Sequence, residues 1–179
     1  MLVEGTCGAG KTTLARALVA RDATIALADQ RETYGPIALR EDAGTLDDAF
    51  NRAHLLGVAT RLRRHVVDTL HLTQRVRPGV LSAASFEEVD ALLDGILVIV
   101  QVSPAALWDR VVVGRRGTPF RRYAAKFGAS DAALHDWLCD EQEQIAALAS
   151  RSRLPVLVVD GEAPAQGTTE RVLARLLQT

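Results

Sequence analysis

Lysine is almost missing from this chain: of its 21 basic residues only Lys11 and Lys126 are lysines, and the remainder are arginines. Cysteine occurs twice, at Cys7 and Cys139, and asparagine once, at Asn51. With only two thiols, far apart in sequence, no disulfide framework is expected. No apolar run reaches the roughly eighteen residues of a membrane-spanning helix. No charged and apolar leader precedes the first strand, so the chain is expected in the cytoplasm. A net charge of −1 leaves no basic field to hold a nucleic-acid polymer by counterion release, which favours a small-molecule partner. With 179 residues, 48% of them hydrophobic, the chain can bury about 70% of its unfolded surface as one domain spanning 1–179. Against this background the lysine at position 11 stands out.

It stands at the end of Gly5-Thr6-Cys7-Gly8-Ala9-Gly10-Lys11-Thr12-Thr13, a full G-x-x-x-x-G-K-[ST] pattern. Wrapping a polyphosphate with backbone N–H groups requires a chain that turns sharply and comes close, which residues without bulky side chains allow. Lys11 opens a helix whose N-terminus carries roughly half a positive charge and unpaired donors, so phosphate meets ammonium, dipole and amides together. Thr12 places a hydroxyl where Mg²⁺ sits. A chance glycine-rich turn is the alternative, but the flanks argue against it. Leu2-Val3 reads as a strand before the loop, and Thr12 to Ala20 as a helix after it, with apolar residues at helical spacing.

Farther along, Ala23–Ala28 reads as a second strand ending at Asp29, and 30–36 as a loop. A helix is expected from Thr45 to about Leu62, a short strand over His65–Asp68, a break at Arg77-Pro78-Gly79 and a helix from Ser85 to about Asp94. Gly95–Val102 is continuously apolar, as in a strand covered on both faces of a parallel sheet. Ser103-Pro104 caps a helix from Ala105 to about Val113. A glycine- and arginine-rich segment at about 114–129 interrupts the pattern. Ser130-Asp131 opens a helix to about Ser150, Pro155–Asp160 forms a further strand, and Thr168–Leu177 a last helix. Strands alternating with helices specify an α/β fold around a parallel sheet.

Ligands of such sheets bind beyond the carboxyl ends of the strands, so acids there are candidates for catalysis. Asp68 ends the third strand, where it could hold Mg²⁺ through water or take a proton from an attacking hydroxyl; an N-cap or turn role is the plain alternative. Asp29 and Glu32 lie on the side of an incoming acceptor and could serve as the base instead, against the alternative of solvated loop carboxylates. His71 could orient the acceptor, although a lone histidine is more often a packing or surface residue. Arg115, Arg116, Arg121 and Arg122 suit a lid that meets the charge of a transferred phosphoryl group with planar guanidinium donors. Complementing a helix C-terminus is the competing role. Arg75 and Arg77 could bind an anionic acceptor.

Val3-Glu4-Gly5 running into the phosphate loop resembles the opening of the deoxynucleoside kinases and thymidylate kinases. The likeness extends to the order of parts: Arg31–Pro36 is similar to the acidic loop of those kinases, Val67-Asp68 to their third-strand acid, Val102–Arg110 to the segment before the lid, and Arg115-Arg116 to lid arginines. The resemblance implies a three-layer P-loop fold with a five-stranded parallel sheet in the order 2-3-1-4-5, ATP as donor, Mg²⁺ as cofactor, and Val159–Glu162 near the adenine. Thr69 follows the acid where those kinases usually have arginine, Glu32-Thr33 stands where Glu-Pro is usual, and only Tyr34 and Phe50 offer an aromatic platform. A hydroxyl-bearing metabolite or antibiotic fits the same catalytic parts as a nucleoside or nucleotide.

The leading expectation is therefore an ATP-dependent phosphotransferase acting on a hydroxyl or phosphate acceptor. The alternatives are a P-loop ATPase and a nucleotide-binding regulatory module. A guanine-reading switch would resemble its kind in an Asn-Lys-x-Asp element, and here Asn51 is followed by Arg52; a remodelling ATPase would carry an Asp-Glu pair, and Asp68 is followed by Thr69. A homodimer stays open on either reading.

Overall fold

The computed structural model describes residues 1–28, 66–68, 74–77, 80–82, 95–114 and 128–178. In chain order the elements are β1 (Leu2–Glu4), α1 (Lys11–Arg21), β2 (Ala26–Ala28), β3 (Val66–Asp68), β4 (Gln74–Arg77), β5 (Val80–Ser82), β6 (Leu97–Gln101), α2 (Pro104–Leu107), a π-helix (Trp108–Val113), α3 (Asp131–Ala149), β7 (Val156–Asp160) and α4 (Ala165–Leu176). The helices expected over 45–62 and 85–94, and the lid residues 115–127, lie outside the described residues.

Five strands form one sheet in the order β2-β3-β1-β6-β7, and β4 and β5 form a separate pair. Every neighbouring pair in the larger sheet is parallel. β1 and β6 are buried: β6 carries an unbroken apolar run in which Leu97 to Val100 are all closed to solvent, and β1 places Leu2, Val3 and Glu4 beside it. Val98 and Val100 pack with Val3, Leu14, Ala15 and Leu18 and with Val172 of α4, while Leu97 and Ile99 alternate to the opposite face. A second cluster joins Val102, Leu107, Val111 and Val112 to Leu134 and Leu138 of α3.

Several boundaries differ from the sequence expectation, each for a local reason. β2 begins at Ala26 because Asp22 forms a turn: its Oδ1 accepts from Thr24 N at 2.8 Å and from Thr24 Oγ1 at 2.7 Å, and this local bonding competes with the ladder. The break expected at 77–79 falls between two antiparallel strands, β4 and β5, in which Arg77 pairs with Val80; residues 78–79 lie outside the described residues. α4 begins at Ala165, three residues before Thr168, with Pro164 as N-cap.

The expected helix over 105–113 is one α turn followed by the π-helix. Gly114 ends it where a Cβ would lie 2.6 Å from Arg110 O. Both serine caps form: Ser103 Oγ accepts from Ala106 N and Ser130 Oγ from Ala133 N, each at 3.2 Å. Among the described residues no helix is long and apolar enough to cross a membrane.

Candidate active site

The loop from Gly5 to Gly10 leaves the buried end of β1 and delivers the chain to α1. Gly8 and Gly10 have φ of +84° and +108°, conformations that side-chain-bearing residues rarely adopt. Gly5 meets β6 so closely that a Cβ would lie 2.6 Å from Val100 O. Inside the loop, Ala9 N donates to Thr6 O at 3.2 Å. Lys11 is buried, and its Nζ donates to Gly5 O and, at 3.1 Å, to Thr6 O. The ammonium thus folds back over the loop that precedes it.

α1 begins with Gly10 as N-cap, with no side-chain cap bond and no acid in its first turn. Its positive end is therefore not quenched by the helix's own carboxylates, which suits it to an anion. Thr12 is half-buried and Thr13 exposed on this turn. Cys7 is half-buried and packs against the second core cluster.

No protein-family model matches the chain, and no curated protein matches it. Solved structures do. The shikimate kinase from Acinetobacter baumannii in complex with shikimate is similar with a TM-score of 0.62 at 18% identity, over 99% of this chain and 92% of that one. A gluconokinase from Sinorhizobium meliloti 1021 gives 0.54 at 18% identity, covering 99% of this chain and 90% of the other. The deoxyadenosine kinase from M. mycoides gives 0.55 at 13% identity over 99% of both. The chain has the P-loop kinase fold.

Within that fold the nine residues Gly5 to Thr13 come together as one loop and helix start. Asp68 is the last residue of β3, paired with Ala28 on one side and level with Leu2 on the other. Glu4 lies two residues farther along β1, about 7 Å at the usual strand rise. Arg75 and Arg77 belong to the hairpin strand β4, apart from the main sheet. Asp29, Glu32, Tyr34, Phe50, His71, Arg115, Arg116, Arg121 and Arg122 lie outside the described residues.

The fold also brings to the loop Glu4, Glu141 and Arg110, to which the sequence reading assigned no role, together with Gly161, which the resemblance implies near the adenine. Glu4 is closed to solvent, and its Oε1 accepts from Gly5 N at 2.9 Å. Glu141, equally buried in α3, accepts from Thr6 Oγ1 at 3.4 Å. Its signal was present: Leu134, Leu138, Glu141 and Ile145 are the buried helical stripe of α3, so a carboxylate occupies an apolar position.

Gln142 closes the end of the central strand with both amide atoms, accepting from Val102 N at 3.0 Å and donating to Val102 O at 2.9 Å. Gly161, after β7, lies against the loop, for a Cβ there would be 2.3 Å from Ala9 O. Glu162 accepts from Ser103 N at 2.5 Å and so ties the same turn to the start of α2. Arg110, in the π-helix, donates to Gly8 O at 3.3 Å, Ala9 O at 3.4 Å and Gly161 O at 3.1 Å. No local sequence signal marks that contact, which joins residues about a hundred positions apart.

The donor set fits a magnesium-bound triphosphate. Among the described residues there is no group of three His, Cys, Asp or Glu able to hold a metal unaided. On the sequence expectation Thr12 and Asp68 would hold the metal.

Proposed function

We propose that this protein is a Mg²⁺- and ATP-dependent phosphotransferase that phosphorylates a hydroxyl-bearing small molecule in the cytoplasm. The observation that carries the reading is the phosphate loop: left-handed glycines, an uncapped helix start and a buried lysine ammonium held at the loop carbonyls. The likeness to solved sugar-acid, shikimate and deoxynucleoside kinases supports it.

ATP and Mg²⁺, when bound, supply the transferable phosphoryl group and the divalent charge that offsets its oxygens. The loop amides and Lys11 bind and orient the polyphosphate, and Thr12 and Asp68 hold the metal, Asp68 through water. One carboxylate among Asp68, Asp29 and Glu32 takes the proton of the acceptor hydroxyl. Arg115 and Arg116 close from an arginine-rich lid at about 114–129 and meet the charge spread over the transferred group. Tyr34, His71, Arg75, Arg121 and Arg122 form the acceptor side, and the arginines favour an acceptor that carries an acid group. The strand order β2-β3-β1-β6-β7 supports the expected 2-3-1-4-5 core, the hairpin left out of the numbering.

The test is ADP release from Mg·ATP with a panel of shikimate, gluconate, other hydroxy acids and deoxynucleosides. Acceptor-dependent release supports the proposal, with hydroxy acids expected to lead. Hydrolysis indifferent to acceptor would make the protein an ATPase, and binding without turnover a nucleotide-binding module.

A further inference from the structure

We infer that Arg110 is a positioning residue that sets the phosphate loop's peptide planes, so that its amides face the polyphosphate before any ligand arrives. The inference rests on the reading of Gly5–Thr13 as a triphosphate site and adds to it a group from the other end of the chain.

A guanidinium is a rigid planar fork with donors only. Here the fork spans three carbonyls on two segments: NH1 reaches Gly8 O at 3.3 Å and Ala9 O at 3.4 Å, and NH2 reaches Gly161 O at 3.1 Å. Because each peptide unit is planar and trans, fixing a carbonyl on one side turns the next residue's N–H to the other. Holding Gly8 O and Ala9 O therefore directs the amides of Ala9 and Gly10 away from the guanidinium. The Ala9 amide is taken up inside the loop by Thr6 O. The Gly10 amide is the one left for an anion at the head of α1. Glycine alone would not hold it there, since Gly10 visits both signs of φ at little cost and its peptide plane is easily turned.

The π-helix brings a second contact to the same loop. It spans Trp108–Val113, and its wider turn sets Arg110 and Val111 side by side on the loop. At Gly8 an added Cβ would meet Val111 Cγ2 at 2.3 Å, with Arg110 Cβ at 3.8 Å; at Gly10 the neighbours are Gly161 O at 3.9 Å and Arg110 NH1 at 4.0 Å. π-turns of this kind occur frequently at functional sites.

The experiment compares two ligands by calorimetry, inorganic tripolyphosphate and ATP, each with Mg²⁺, on the wild-type chain, Arg110→Gln and Arg110→Lys. Loss of loop order acts on phosphate whether or not a nucleoside is attached. Arg110→Gln is therefore expected to weaken both ligands by the same factor, about tenfold or more, and Arg110→Lys to recover part of both, because an ammonium can hold one carbonyl where the fork holds three. If ATP alone weakens, Arg110 acts on the nucleoside and the inference is overturned. Unchanged affinity for both ligands in Arg110→Gln overturns it as well. Should Arg110→Gln not fold, Arg110→Lys carries the same comparison, with equal partial losses expected and a loss confined to ATP fatal. Failure of the wild-type chain to bind either ligand is a distinct result, which removes the triphosphate reading itself.

Discussion

Gly161→Ala tests whether the turn after β7 is a wall of the phosphate site. An added methyl would sit 2.3 Å from Ala9 O and 2.8 Å from Cγ1 of both Val100 and Val102, where real contacts essentially never fall below 3.0 Å. The backbone has little freedom to retreat, because Gly161 N donates to Gln101 O at 2.7 Å and Gly161 O accepts from Arg110 at 3.1 Å. Ala9 O must therefore move by roughly 0.7 Å, the shortfall against that 3.0 Å limit. Overpacking of this kind costs about 1–3 kcal/mol. For a domain of this length that lowers Tm by about 2–12 °C. Displacing the loop carbonyl also disturbs the amide behind it, so affinity for Mg·ATP should fall by about tenfold to a hundredfold. Gly167→Ala is the control: nothing lies within 4 Å of its added methyl, it sits in α4, and the gain of about 0.5–1 kcal/mol from Gly to Ala in a helix should raise Tm by about 1–4 °C. Melting curves and calorimetry on both variants check this. Wild-type Tm and affinity in Gly161→Ala would refute the placement of the turn.

The parts of this protein that could be read in advance are those written locally. The phosphate loop occupies nine consecutive residues, and each serine cap meets an amide three residues ahead, so neither needs knowledge of the rest of the chain. β6 was legible because burial on both faces demands an unbroken apolar run. The hairpin was not: Gln74–Arg77 carries polar residues without clean alternation, and Pro78-Gly79 announces a turn without saying what it joins. The π-helix has no breaker in Trp108-Asp109-Arg110-Val111-Val112-Val113 to separate it from an α-helix. Its Val111 and Arg110 touch the loop far away in sequence. Long-range contacts of that sort are set by topology, and no window of sequence contains both partners. Glu141 lies between these cases, since its place on the apolar stripe was visible and its partner Thr6, 135 positions away, was not.

Lys11→Ala should abolish acceptor-dependent ADP release while circular dichroism stays that of the wild type, because the start of α1 is held by Leu14 N on Gly10 O at 3.0 Å; retained turnover would sink the phosphate-loop assignment. Burial, reinforced by the carboxylates of Asp136, Asp140 and Glu143, pushes the Cys139 thiol above its ordinary pKa of 9.0. Since only the thiolate reacts, alkylation of Cys139 by iodoacetamide, followed by mass spectrometry, should still be accelerating above pH 9, and a plateau below pH 9 would contradict the placement. Glu141 offers the sharpest separation of acceptor from bulk. It stands in the stripe of Leu134, Leu138 and Ile145, and its Oε2 accepts from the Thr6 hydroxyl in the phosphate loop at 3.4 Å. Glu141→Ala leaves a buried hydroxyl without that acceptor, a loss of about 1–3 kcal/mol, and should lower Tm by about 2–12 °C while weakening Mg·ATP. Glu141→Gln retains an oxygen acceptor of the same reach and should cost less on both counts. If the alanine variant melts and binds nucleotide like the wild type, α3 does not brace the loop through this side chain, and the Thr6 contact has no part in shaping the site.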